Sequence, residues 1–169
     1  KWVVGEEALD KIKDQYDDKA KISGEIKATE LMGKWAKGPL VDYELYIVPA
    51  WFIDAKVGSG IVYSALEDPV DLIEIIDIQK DLEQLKEYNL DLEVIKKLKP
   101  ISIIKVSGMS DNLGQDMIDK YKIESAKDKK KIKDAKDELN KTVYRKGIMK
   151  KNCGKYAGME VEKAQAVIK

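Results

Sequence analysis

Apolar residues along this chain alternate between two spacings, and the places where the spacing changes mark out its elements. Residues 2–4, "WVV", read as the end of a short strand, and "GEEALDKIKDQY" then places its apolar positions on one face of a helix. "KAKISGEI" alternates apolar and polar residues as a strand does. "KATELMGKWAKGP" predicts one helical turn closed by Gly33 and a second ending at Gly38 and Pro39. From Val41 to Ala65 the chain is rich in β-branched and aromatic residues, with breaks at Pro49 and across residues 56–60. That stretch predicts two or three antiparallel strands, with Gly58 and Gly60 allowing a turn or a close backbone approach.

Helical spacing takes over at Asp68. "DPVDLIEIIDIQKDLEQLKEYNL" carries Leu72, Ile75, Ile76, Leu82 and Leu85 at helical intervals, and "LDLEVIKKLKP" predicts a shorter helix stopped by Pro100. "ISIIKVSG" predicts a buried strand, and "SDNLGQDMIDKYKI" a polar turn leading into a helix. "SAKDKKKIKDAKDELNKTVYRKG" predicts a lysine-rich helix, "GIMKKN" a short strand, and "MEVEKAQAVIK" a last helix. The fold class expected is α+β, a cluster of antiparallel strands with helices inserted around it.

Composition narrows the chemistry more than the fold. The chain has 169 residues, enough for one domain with a real core, and is 44% apolar and 37% charged. No uncharged apolar run is long enough to span a bilayer. The 31 basic and 31 acidic residues cancel, so a nucleic acid would be held by local patches and not by a global field. The lone cysteine, Cys153, permits no internal disulfide and suits a reducing compartment. With no histidine, Cys/His zinc sites and histidine-dependent triads cannot be built. Carboxylates, hydroxyls, lysines, backbone groups and water remain. The chain opens on Lys1 and ends inside a helical pattern, which reads as a segment of a longer protein.

The acidic turn in "GSGIVYSALEDPVD" draws attention first. Asp68 suits a helix N-cap, Pro69 the first helical position, and Asp71 the third, where the helix dipole favours a negative charge. A carboxylate so placed is also fit to hold a substrate ammonium group. Glu67 has no role on sequence grounds. Lysines from Lys127 to Lys136 alternate with acids, as on a solvated helix face, although phosphate contact is the functional alternative. Trp2, Trp35, Trp51, Tyr43 and Tyr46 are scattered and form no stacking platform.

Several segments, in order, resemble the editing domain (connective polypeptide 1) of leucyl-tRNA synthetases of the archaeal and eukaryotic type. "GSGIVYSALEDPVD" is similar to the family's "GTG(V/I)V-x-S" element and the turn that ends in its editing aspartate; Asp71 falls on that aspartate. "LYIVPAWFID" resembles "VxVLPAxFVD", "PISIIKVSGMSD" resembles "ISLIKLEGYGD", and "TELMGKWAKGPL" resembles "GEEILG…xxPL". "IESAKDKKKIKDAKDELNKTVYRKGIM" resembles "IKSQKDKEKLEQAT…Y…KGI". Two departures stand out. In the family a threonine-rich "T-x-R-P-E-T" loop comes just before the "WV" that opens this chain, outside these residues, and the turn here is one residue shorter than "SVPAHAPFD", lacking its first proline and its histidine.

The resemblance implies a β-barrel-like core of antiparallel strands with peripheral helices, over residues 1–169 as a single editing domain of a longer class I synthetase. It implies hydrolysis of tRNA(Leu) mischarged with near-cognate aliphatic amino acids. Asp71 would grip the α-ammonium group and Tyr63 and Ser64 would line the amino-acid pocket. Asp68 would join them among the substrate-binding residues, with Gly58, Ser59 and Gly60 near the terminal adenosine. No metal or cofactor is implied for this domain; ATP and magnesium belong to the synthetic domain of the parent enzyme. The implied partners are the tRNA acceptor end and the rest of the synthetase, in the cytoplasm and away from membranes. Two alternatives remain: the editing domain of an isoleucyl- or valyl-tRNA synthetase, and a degenerate domain that binds the tRNA end without catalysis.

Overall fold

In the computed structural model the described residues are 3–15, 21–38, 41, 43–51, 53–54, 56 and 58–168. Seven helices and four short strands lie among them: α1 (Leu9–Gln15), α2 (Ala28–Leu31), β1 (Trp35–Lys37), β2 (Glu44–Tyr46), α3 (Pro69–Lys80), α4 (Leu92–Lys97), β3 (Ile104–Val106), α5 (Leu113–Tyr121), α6 (Lys129–Lys146), β4 (Gly147–Met149) and α7 (Val161–Val167). Three 3₁₀ turns, Glu6–Ala8, Glu83–Leu85 and Lys151–Tyr156, complete the order.

The core is built mainly from helices. Leu72 and Ile73 of α3, Leu113, Met117 and Ile118 of α5, and Ile132, Ala135 and Leu139 of α6 pack together with Val106 of β3 and Ile123. The far end of α3 turns Ile78 into a second, smaller cluster with Leu85 and Ile95. There the Gln79 amide donates to the carbonyls of Ile95 (3.0 Å) and Leu98 (2.9 Å), tying α3 to the end of α4. Asp91 starts α4 by accepting from the Glu93 and Val94 backbone N–H groups.

The strands form two antiparallel pairs. β1 and β2 match Trp35 to Tyr46, and β3 and β4 match Ile104 to Met149. Trp35 and Tyr46 bring their rings to 5.1 Å across the first pair. Among the described residues these pairs are the sheets, and no closed barrel is present.

Helical expectations fare better than strand expectations. α1 and α3 to α7 fall where apolar spacing puts them, as do β3 and β4. The long pattern from Asp68 to Leu90 breaks at Asp81, after α3, into a 3₁₀ turn. The second helical turn expected before Gly38 is instead β1, and Pro39 lies outside the described residues. Residues 3–4 and 21–26 form no strand; residues 2, 19 and 20 of those stretches lie outside the described residues. Of the strands expected from Val41 to Ala65 only β2 forms among the described residues, with 42, 52, 55 and 57 outside them. Trp51, Ile61 and Val62 are about half exposed, so this apolar composition marks surface and not a paired ladder.

Candidate functional site

Glu67 and Asp71 are the buried charged residues among the described residues, each 9% exposed, and both belong to the turn that opens α3. The turn closes when the Asp68 N–H donates to the Ala65 carbonyl at 3.1 Å. Asp68 then caps the helix, its Oδ1 accepting from the Val70 N–H at 2.9 Å, with Pro69 in the first turn as the sequence predicts. Asp71 reaches back over the turn, and its Oδ2 accepts from the Ala65 N–H at 3.2 Å.

Burial is the main force on the Asp71 carboxyl. Together with the neighbouring charge of Asp68 it pushes the pKa from an ordinary 3.8 up to about 6. The Ala65 N–H, Lys136 and the Ser64 hydroxyl pull the other way and only partly offset it. A carboxylate poised near neutral pH, reached by few donors, is a strong acceptor for an incoming cation.

Each residue of the turn is tied to a different part of the molecule. The Leu66 carbonyl accepts from the Gly114 N–H at the start of α5 (3.1 Å). A Cβ at Gly114 would lie 2.4 Å from that carbonyl oxygen, so only glycine permits this approach. Oε1 of Glu67 accepts from the Ser102 hydroxyl (2.7 Å) and the N–H groups of Ile103 (2.7 Å) and Ile104 (2.9 Å). The Oδ2 of Asp68 pairs with Lys136 of α6 at 2.6 Å.

Upstream of the turn, the half-buried Tyr63 shares a hydrogen bond with the Tyr43 hydroxyl. Burial, that bond and the charge of Glu67 push the Tyr63 phenol well above its usual value, so it stays neutral and able to donate. Gly58 and Gly60 both take positive φ, 64° and 72°, which fits the glycine-rich turn expected there. Ser59 is engaged locally: its hydroxyl donates to the Ile61 carbonyl (3.0 Å) and its own carbonyl accepts from the Gly5 N–H (2.6 Å).

Of the residues singled out from sequence, Ser64, Asp68 and Asp71 therefore come together, with Tyr63 at the head of the same segment. The contacts of the glycine triplet run elsewhere. Both Asp68 oxygens are already engaged within the chain, by the Val70 N–H and by Lys136. Sequence reasoning missed Glu67, Ser102, Gly114 and Lys136 as parts of this site. Lys136 lies in a run that reads as solvated, and the partners of Glu67 are 35 to 37 residues away.

Solved structures that share this fold are synthetase editing domains. The particular relatives are leucyl-tRNA synthetases, and the chain is homologous to their editing domain. It is 36% identical over 173 residues to the leucine–tRNA ligase of Staphylothermus marinus and 34% identical over 168 residues to that of Archaeoglobus fulgidus. The alignments take in 99% and 98% of this chain but only 17% and 18% of those proteins, so the chain spans under a fifth of their length. Among solved structures, the editing domain of the P. falciparum cytosolic leucyl-tRNA synthetase superimposes with a TM-score of 0.79 at 26% identity. That match covers 96% of this chain and 55% of the other. The P. knowlesi counterpart gives 0.77 at 26% identity, over 98% of this chain and 60% of the other. No family model matches.

Proposed function

We propose that this chain is the post-transfer editing domain of a leucine–tRNA ligase, hydrolysing the ester of tRNA(Leu) that carries a near-cognate aliphatic amino acid. The observation that carries the reading is Asp71, a buried carboxylate at a helix start; by the sequence resemblance it falls on the family's editing aspartate. One methylene is worth only ~1–3 kcal/mol in a binding pocket, so a synthetic site separates leucine poorly from similar side chains and a second, hydrolytic site restores fidelity.

In this reading Asp71 binds the α-ammonium group, and the ester carbonyl is thereby held for attack by water. Ser64 and Tyr63 flank the amino acid, with the neutral Tyr63 phenol held by its hydrogen bond to Tyr43. Exposed Ile61 and Val62 offer apolar surface just upstream, suited to an aliphatic side chain or the adenosine next to it. Asp68 acts through Asp71 by shaping the helix start. Gly58, Ser59 and Gly60 would take the terminal adenosine. An activated ester needs a positioned water and a stabilised oxyanion more than a strong base, so a site without histidine suffices. No metal or cofactor is invoked for this domain.

The partners follow from the same reading: the mischarged acceptor end, and the remainder of a cytoplasmic synthetase whose own domain binds ATP and magnesium. No helix among the described residues is long and apolar enough to cross a membrane. The test is a comparison of three substrates with the full-length ligase. Isoleucine on tRNA(Leu) should be cleared, while leucine on tRNA(Leu) and valine on tRNA(Ile) should be spared. Clearance of valine from tRNA(Ile) instead would select the isoleucyl-type reading, and acceptor-end binding without any hydrolysis the non-catalytic one.

A further inference from the structure

We infer that Glu67 is a positioning residue for Asp71, tying the turn ahead of α3 to the start of β3 and so fixing where the Asp71 carboxylate stands. Only the role of Asp71 itself rests on the editing reading; what holds Asp71 does not.

One oxygen of Glu67 collects donors from three consecutive residues, Ser102, Ile103 and Ile104, at 2.7 to 2.9 Å. Its other oxygen, Oε2, is buried with no hydrogen-bond partner among the described residues. Stability alone does not ask for such a residue, because a buried carboxylate oxygen left unpaired is costly. What Glu67 supplies is geometry. Leu66 and Asp68 on either side are held by α5 and α6, and Glu67 adds the third tie, to β3. Ala65, at the near end of this clamped turn, is the residue whose N–H reaches Asp71. Slackening the turn at Glu67 lets water reach Asp71, and relief of burial, the largest force on this carboxyl, outweighs the loss of the Ala65 N–H, which acts the other way.

The charged groups facing Asp71 are Asp68 from its own turn and Lys136 from α6, with the Ser64 hydroxyl beside them. Two substitutions separate geometry from charge. Glu67→Gln removes the charge but keeps an oxygen that can accept from residues 102–104; Glu67→Met keeps the bulk and loses the acceptor. The readout is the titration of the Asp71 carboxyl carbon by NMR, which needs no substrate, followed by deacylation kinetics. Glu67→Gln should leave the midpoint near about 6, and Glu67→Met should move it down toward 3.8. In Glu67→Met, kcat for deacylation should fall about tenfold or more, as misplaced groups cost rate.

A folded Glu67→Met protein with an unmoved Asp71 midpoint overturns the inference. So does a Glu67→Gln shift as large as that of Glu67→Met. If Glu67→Met does not fold, Ser102→Ala removes one donor and should give a smaller shift in the same direction; no shift there overturns the inference equally. Should the midpoints move as stated while the wild type deacylates nothing, Glu67 positions Asp71 and it is the editing reading that falls.

Discussion

Asp71 is held in an environment that its charge resists. Its pKa in the folded protein, about 6, lies above the ordinary 3.8. Between those values the native state binds the proton that the unfolded chain has released, so this group's contribution to stability falls as pH rises through that window. Asp71→Asn removes the titration. It should therefore raise Tm relative to wild type at pH 7.5, with the gain vanishing near about pH 4; a lower Tm at pH 7.5 contradicts this account of the site. The proposed function runs the opposite way, since only the carboxylate would attract an ammonium group. The kcat/KM for deacylation should rise with pH around a midpoint near about 6, the value belonging to the free enzyme. The cap and the carboxylate were legible in the sequence because Asp68, Pro69 and Asp71 are neighbours whose roles follow from helix-start chemistry. Glu67 was not, because its partners are distant in sequence and its position falls where the turn departs from the family pattern.

At the scale of elements, the start of α3 is held from outside the helix. Lys136 reaches from α6 to Asp68 and helps draw the Asp71 pKa down. Replacing it with methionine should push the Asp71 midpoint higher and move the acid limb of the deacylation profile to higher pH; an unmoved limb would show that Lys136 is only a surface charge. Gly114→Ala tests the α5 contact. Alanine gains up to about 1 kcal/mol of helix propensity over glycine. Its Cβ would meet the Leu66 oxygen at 2.4 Å, and overpacking costs about 1–3 kcal/mol, so the variant should be net destabilised in urea unfolding. Helices were legible because apolar spacing reports a buried face directly. The stretch before Ala65 was not, because aromatic and β-branched residues signal apolar surface as readily as strand pairing, and Trp51, Ile61 and Val62 leave theirs half exposed.

Over the whole molecule, α3 joins the two apolar clusters, with Leu72 and Ile73 in the larger and Ile78 in the smaller. A helix shared in this way couples the core to the candidate site, since Asp71 belongs to its first turn. Leu139→Ala, at a position 2% exposed, should cost about 2–5 kcal/mol in urea unfolding, and Leu85→Ala in the smaller cluster should lower the same single transition. Two separate transitions would mean that the clusters fold independently. The larger cluster could be read from apolar periodicity, whereas the convergence of α5, α6 and β3 on residues 66–68 exists only in three dimensions. The measurement that bears most directly on the central claim is deacylation of isoleucine-charged tRNA(Leu) by the full-length ligase, wild type against Asp71→Ala. Loss of a hydrogen-bonded charged contact predicts a fall of roughly ten- to a hundredfold in kcat/KM with the fold intact. Undiminished deacylation by Asp71→Ala would contradict the assignment.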